Sequence, residues 1–183
     1  GLKFDGRIAE DFKLATGTFV SVGPLRGKII AAGAPYIQDA VLTGINMKEV
    51  GAMIFPTPAV RALSGLGAEV PMADVLASAP VLAKFQVIVN ELAKSGTGSA
   101  NRIARLCLLS EPPTIDKGEI TDKGYVNQRA VLSNHADLIE RRPRRFRHGR
   151  QRRLAANPGQ NVIDDKLVHG SACILRRRAE MGE

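Results

Sequence analysis

Tryptophan is absent from this 183-residue sequence, and aromatic residues supply only 4% of it. A core must therefore be built mainly from aliphatic side chains, and the 44% hydrophobic content is enough for one. Cysteine is nearly as scarce. Cys107 and Cys173 stand far apart in unrelated contexts, a pattern that excludes a disulfide framework or metal-ligand spacing and suits a reducing compartment. Cys107 lies inside an apolar run and reads as a buried, inert thiol. No apolar run reaches 18 residues and no signal-peptide pattern opens the chain, so neither membrane spanning nor secretion is indicated and the expected location is cytoplasmic.

Charge is present but unevenly placed. The formal net charge is +8, yet residues 1–140 carry 14 Lys and Arg against 14 Asp and Glu, while residues 141–183 carry 12 against 4. The basic excess belongs wholly to the tail. The length suits one domain, or one domain and a tail, and the composition shift divides the chain at residue 140.

Hydrophobic patterning outlines residues 1–140. The opening Leu2-Lys-Phe-Asp-Gly-Arg-Ile8 alternates around a tight-turn Asp-Gly, giving a short hairpin or a strand with a hinge. Phe12 to Val20 reads as strand, turn and strand, with Gly17 at the turn. A helix from Gly23-Pro24 to about Ala32 follows, with Gly33 as its stop. Strands are expected over 37–45 and 50–55 as an antiparallel pair, the second nearly continuous in apolar residues and so central. Thr57 is placed to cap a helix from Pro58 to about Leu63. Residues 79–94 show an amphipathic helical period through Val81, Leu82, Phe85, Ile88, Val89 and Leu92. A third main strand spans 103–109, and a closing helix spans 126–140 with Val131, Leu132, Leu138 and Ile139 on its apolar face. The expected fold is α+β: a small sheet of about three main strands plus an N-terminal hairpin, flanked by helices.

Several groupings fail as sites. Ser95-Gly-Thr-Gly-Ser99 follows a helix and lacks the Gly-Lys-Ser/Thr ending of a phosphate loop, so it reads as a flexible connector. Gly65-Leu-Gly67 has no third glycine at dinucleotide-binding spacing. His135, assigned to the solvated side of its helix, has no Cys or His partner at zinc spacing, and no metal site is expected. No Gly-x-Ser-x-Gly elbow occurs. What stands out is Lys123, a cation on a turn between Asp122 and Gly124, between an apolar strand and a helix.

Two stretches resemble one family. Phe4-Asp-Gly-Arg-Ile-Ala-Glu-Asp-Phe-Lys-Leu-Ala-Thr-Gly-Thr-Phe-Val20 resembles the hinge and turn that open the C-terminal subdomain of acyl-adenylate-forming enzymes, among them acyl-CoA synthetases, luciferases and peptide-synthetase adenylation domains. With the Val-Gly-Pro-Leu-Arg26 that follows, its form is most similar to feruloyl-CoA synthases. Gly118-Glu-Ile-Thr-Asp-Lys-Gly-Tyr-Val-Asn-Gln-Arg-Ala-Val-Leu132 is similar to the lysine loop near the end of the same enzymes. The resemblance covers residues 1–140 and implies roles. Lys123 matches the catalytic lysine that contacts the substrate carboxylate and the ATP α-phosphate. Ala9 or Glu10 matches the hinge pivot, where the family commonly has Asp or Lys. Arg7 matches the nucleotide-binding arginine before the hinge, and Gly17 the turn glycine that lets the pantetheine arm of CoA pass.

The resemblance further implies an AMP-forming ligase acting on an aromatic carboxylic acid, ferulate or a relative, with ATP, Mg2+ and CoA used by the complete enzyme. Its partner is the N-terminal AMP-binding domain, whose phosphate loop and acid pocket have no counterpart in this sequence. The chain alone is therefore expected to bind none of these cofactors and to adenylate no acid. The Arg-rich run from Arg141 to Arg153 departs from the family. It reads either as a polyanion- or RNA-binding arm acting through phosphate contacts, or as the product of a shifted reading frame. A stable core is not expected beyond residue 140. The competing functional class is a non-enzymatic polyanion-binding protein that works through this tail.

Overall fold

The computed structural model describes residues 10–140 and 171–175. At its centre is a four-stranded sheet in the order β3-β4-β5-β6, built from β3 (Ile37–Thr43), β4 (Val50–Pro56), β5 (Ile103–Leu108) and β6 (Ala172–Leu175). β4 runs antiparallel to β3 and parallel to β5, and β6 is antiparallel to β5. A separate two-stranded hairpin, β1 (Phe12–Lys13) and β2 (Phe19–Val20), precedes helix α1 (Val22–Gly33). The parallel step from β4 to β5 needs a crossover. It is supplied by α2 (Val60–Ser64), α3 (Met72–Ala77) and α4 (Ala79–Lys94).

Strand alternation divides the core into two clusters on opposite faces. Ala40, Leu42, Ala52, Ile54, Leu106 and Leu108 point to one face and pack with Ile29 of α1, the apolar stripe of α4, and Phe12, Leu14 and Val20 of the hairpin. Val41, Met53 and Phe55 point the other way, against Val126, Val131 and Leu138. With both faces covered, β4 is buried from Val50 to Phe55, the reason its sequence is continuously apolar rather than alternating.

The α+β architecture, the hairpin turning at Gly17, the β3–β4 antiparallel pair and the α4 boundaries agree with the sequence reading. Four features depart from it. Thr57 caps no helix: its hydroxyl donates to the Pro35 carbonyl at 2.7 Å, and the residue at the α2 cap position is Ala59. A short helix, α3, stands where a connector was expected, following Pro71. The closing helix is two pieces, α5 (Gln128–Asn134) and α6 (Ala136–Glu140), because His135 leaves helical geometry at φ −115°, ψ 29°. Finally, the three expected main strands are joined by a fourth from beyond residue 140. Ala172-Cys-Ile-Leu175 pairs with the edge of β5 and buries Ala172 and Ile174 in the α4-side cluster. An apolar β-forming tetrapeptide beside an open strand edge gains both ladder hydrogen bonds and burial.

The cysteines also depart from expectation. Cys107 of β5 and Cys173 of β6 face each other in register and are joined as a disulfide, so Cys107 is not a free thiol. The Arg141–Arg153 run, and with it the proposed nucleic-acid contact, lies outside the described residues.

Candidate functional site

Residues 109–127 leave β5 and return to α5 through two successive turns. Gly118, at φ 68°, closes the first, where its amide donates to the Ile115 carbonyl at 2.8 Å. The second is a small hairpin. Ile120 bridges Val126, the Thr121 amide donates to the Tyr125 carbonyl at 2.9 Å, and the Gly124 amide donates to the Thr121 carbonyl at 2.8 Å. Gly124 takes φ 78°, a left-handed conformation that glycine adopts without a Cβ penalty. Lys123 stands at the exposed tip. Among the described residues its ammonium has no ion-pair partner.

The tip is exposed but the foot is fixed. Glu119 is 1% exposed. Its Oε1 accepts from the Asn134 side-chain amide at 3.0 Å and stands 3.2 Å from His135 Nε2, and its Oε2 faces the Thr114 amide at 3.4 Å. Its backbone bonds to Thr114 and Asn127. Asn127 Oδ1 accepts from the Ala130 amide and caps α5, and the Asn127 side-chain amide donates to the Gly118 carbonyl. One residue further on, the buried Gln128 offers Oε1 to the Leu42 amide of β3 at 3.2 Å, tying α5 to the sheet. The Lys117 ammonium nearby is held above its usual range by a hydrogen bond with Glu111. His135 is thus packed against a buried carboxylate rather than solvated. The Asn127 cap was missed because the closing helix was expected from residue 126, and the Glu119–His135 pairing spans too many residues for local patterning to show.

The second candidate turn lies elsewhere. Gly17 takes φ 80°, and its amide donates to the Leu14 carbonyl at 2.9 Å. A Cβ there would meet nothing within 4 Å, so the turn is open to whatever approaches it. The hairpin leans on the β3–β4 loop, where the Ala15 amide donates to the Met47 carbonyl, and on the connector after α4, where Ser99 Oγ donates to Thr18 Oγ1 at 3.3 Å. In that connector Gly96 is required by packing, since a Cβ would meet the Arg102 backbone at 2.7 Å. At Gly98 a Cβ would meet nothing within 4 Å, so the packing requirement in this connector falls on Gly96. Asp11, just before the hairpin, caps α1 from outside by accepting from the Val22 amide at 2.8 Å. Glu10 is half-buried in the turn before β1, and Arg7 and Ala9 lie outside the described residues.

The structure does not bring Lys123 and Gly17 together. Val126, at the root of the lysine hairpin, packs on one face of the sheet, whereas Phe12, Leu14 and Val20, at the root of the Gly17 turn, pack on the other. On the face that carries the lysine hairpin, Arg105 of β5 lies over Gly51 of β4, where a Cβ would meet its Cγ at 2.8 Å. Its Nη2 donates to the Ile139 carbonyl of α6 at 2.9 Å. Burial lowers the Arg105 pKa and nearby Glu49 opposes that shift. Among the described residues no group of three or more His, Cys, Asp or Glu could hold a metal ion, and no helix is long and apolar enough to cross a membrane.

Residues 12–146 match the family model of the AMP-binding enzyme C-terminal domain. No curated protein matches the chain. Among solved structures it is similar to the A domain of a carboxylic acid reductase from Segniliparus rugosus in complex with AMP and a co-purified carboxylic acid. That match has 23% identity and a TM-score of 0.50, over 75% of this chain and 20% of the other. It is also similar to the adenylation domain of a Mycobacterium chelonae carboxylate reductase, at 19% identity and a TM-score of 0.49, over 75% and 20% of the two chains. The chain thus spans about a fifth of the length of these solved relatives.

Proposed function

Because the chain belongs to the AMP-binding enzyme C-terminal domain family, we propose that it serves an AMP-forming aromatic acid–CoA ligase as the part that delivers Lys123 in one half-reaction and Gly17 in the other. The observation that carries this reading is the placement of the two turns on opposite faces of one sheet. A single rigid domain cannot present both to one pocket at once, so using them in sequence requires rotation between the steps.

In the first step a carboxylate oxygen attacks the α-phosphorus of ATP and pyrophosphate leaves, forming the acyl adenylate. Two anions must meet, and the Lys123 ammonium offsets their repulsion and the charge developing at phosphorus. An ammonium with no ion-pair partner among the described residues, on a tip whose foot is anchored by Glu119 and Asn127, suits that role. In the second step the CoA thiol attacks the acyl carbon and AMP leaves. The open space beside Gly17 suits passage of the pantetheine arm. Glu10 or Ala9 is the pivot, and Arg7 holds the nucleotide-bound arrangement. ATP and CoA enter as substrates.

The acid is ferulate or a related aromatic acid, on the likeness of residues 4–26 to feruloyl-CoA synthases. The AMP-binding domain that houses the acid is the required partner. ATP–pyrophosphate exchange with ferulate tests the reading, using this chain mixed with a separately supplied AMP-binding domain of the family. Exchange should need both components and disappear with Lys123→Ala. Exchange that persists in Lys123→Ala overturns the assignment.

A further inference from the structure

We propose that Cys107 and Cys173 form a reversible thiol–disulfide modification site, closed by exchange with a small disulfide such as oxidised glutathione, that fastens β6 to the sheet. Neither residue belongs to the ligase chemistry above. They are the chain's two cysteines, so neither has a rival within the chain. They stand in register on adjacent antiparallel strands, 66 residues apart in sequence, and are bonded. Flanking residues 106 and 108 of β5 point to the α4 side, which puts the Cys107 side chain on the opposite face, the one carrying the lysine hairpin.

The two sulfurs differ in access, which orders the exchange. Cys173 is half-buried on the outermost strand, whereas Cys107 is 3% exposed between β4 and β6. The deprotonated Cys173 sulfur attacks one sulfur of the small disulfide. That S–S bond breaks, the first small thiol leaves and takes up the proton Cys173 lost, and Cys173 is left in a mixed disulfide. Cys107, already opposite, then attacks the Cys173 sulfur, giving the Cys107–Cys173 bond and releasing the second small thiol with the second proton. Two protein thiols are oxidised and one small disulfide is reduced to two thiols, so atoms and electrons balance.

Closing the bond matters because β6 is short. It is held by a four-residue ladder, by Ala172 and Ile174 in the core, and by the Gln86 side-chain amide donating to the Leu175 carbonyl at 2.8 Å. A cross-link spanning 66 residues removes much chain freedom from the open state. Reduction therefore uncovers the β5 edge, an apolar strand edge of the kind that pairs with other chains when exposed.

The test uses the full chain equilibrated with oxidised glutathione, then with dithiothreitol. Alkylation by iodoacetamide read by intact mass should add no groups in the first state and two in the second. After tryptic digestion the Cys107 and Cys173 peptides should stay linked until reductant is added. Amide hydrogen exchange should show residues 172–175 losing protection on reduction while α4 keeps its own. Cys173→Ser, whose sheet retains Cys107, should match the reduced chain. Two alkylated thiols after glutathione treatment would overturn the pairing. Unchanged protection of residues 172–175 after reduction would overturn the fastening role.

Discussion

His135 Nε2 lies 3.2 Å from Glu119 Oε1, joining the break between α5 and α6 to the foot of the hairpin that carries Lys123. The carboxylate is buried, and with Asn134 and Thr114 beside it the hairpin is anchored at its base while its tip stays in solvent. The position of Lys123 is thus set by residues on either side of it in sequence that meet only in the fold.

Glu119→Ala should destabilise the chain by about 2 kcal/mol, since it removes the acceptor of His135 and the Thr114 amide and leaves the Asn134 amide only the Lys117 carbonyl. Tryptic cleavage after Lys123 should accelerate with it. Chemical denaturation and timed digestion check both, and an unchanged cleavage rate would show that the foot does not hold the tip.

Lys123→Ala should leave stability within about 0.5 kcal/mol of the parent, because the residue is an exposed turn position without an ion pair among the described residues. In the reconstituted exchange assay the same change should cost about 10²-fold or more in rate, the scale for removing one preorganised charge stabiliser. A large stability loss would mean that the activity loss reports misfolding.

Gly17→Ala forces a Cβ into φ 80° and should cost about 1 kcal/mol. The chain itself leaves space for the methyl group, so slowing of thioester formation beyond that seen in adenylation reports a clash with the incoming CoA arm. Separate assays of pyrophosphate exchange and thioester yield make the comparison. Equal slowing of both would remove Gly17 from the second step.

Gly51→Ala should destabilise by about 1–3 kcal/mol, the usual range for overpacking. Its Cβ would lie 2.8 Å from both Arg105 Cγ and Thr43 Oγ1. Displacing Arg105 also frees the Ile139 carbonyl, so hydrogen exchange in α6 should rise more than in α4. Equal exchange in the two helices would rule out Arg105 as the tie to α6.

Local pattern accounts for a good part of the fold. The 3.6-residue period of 79–94 and the apolar run of 50–55 specify α4 and β4 because burial on one stripe, or on both faces, leaves a signal in neighbouring residues. Turns at Gly17 and Gly124 were visible for the same reason: a left-handed position selects glycine on the spot. Thr57 misled because its hydroxyl could equally cap a helix or bond the Pro35 carbonyl, and only the fold placed that carbonyl beside it.

By itself, then, the sequence determined the α+β class, most element boundaries, the division of charge at residue 140, and the turn that presents Lys123. The tertiary structure alone decided that the Gly17 and Lys123 turns root on opposite faces, that Glu119 meets His135, and that Cys107 finds Cys173 across 66 residues. The physical reason is range. Periodicity and turn chemistry act within a few residues, whereas these pairings arise only after loop closure has brought distant segments onto one sheet.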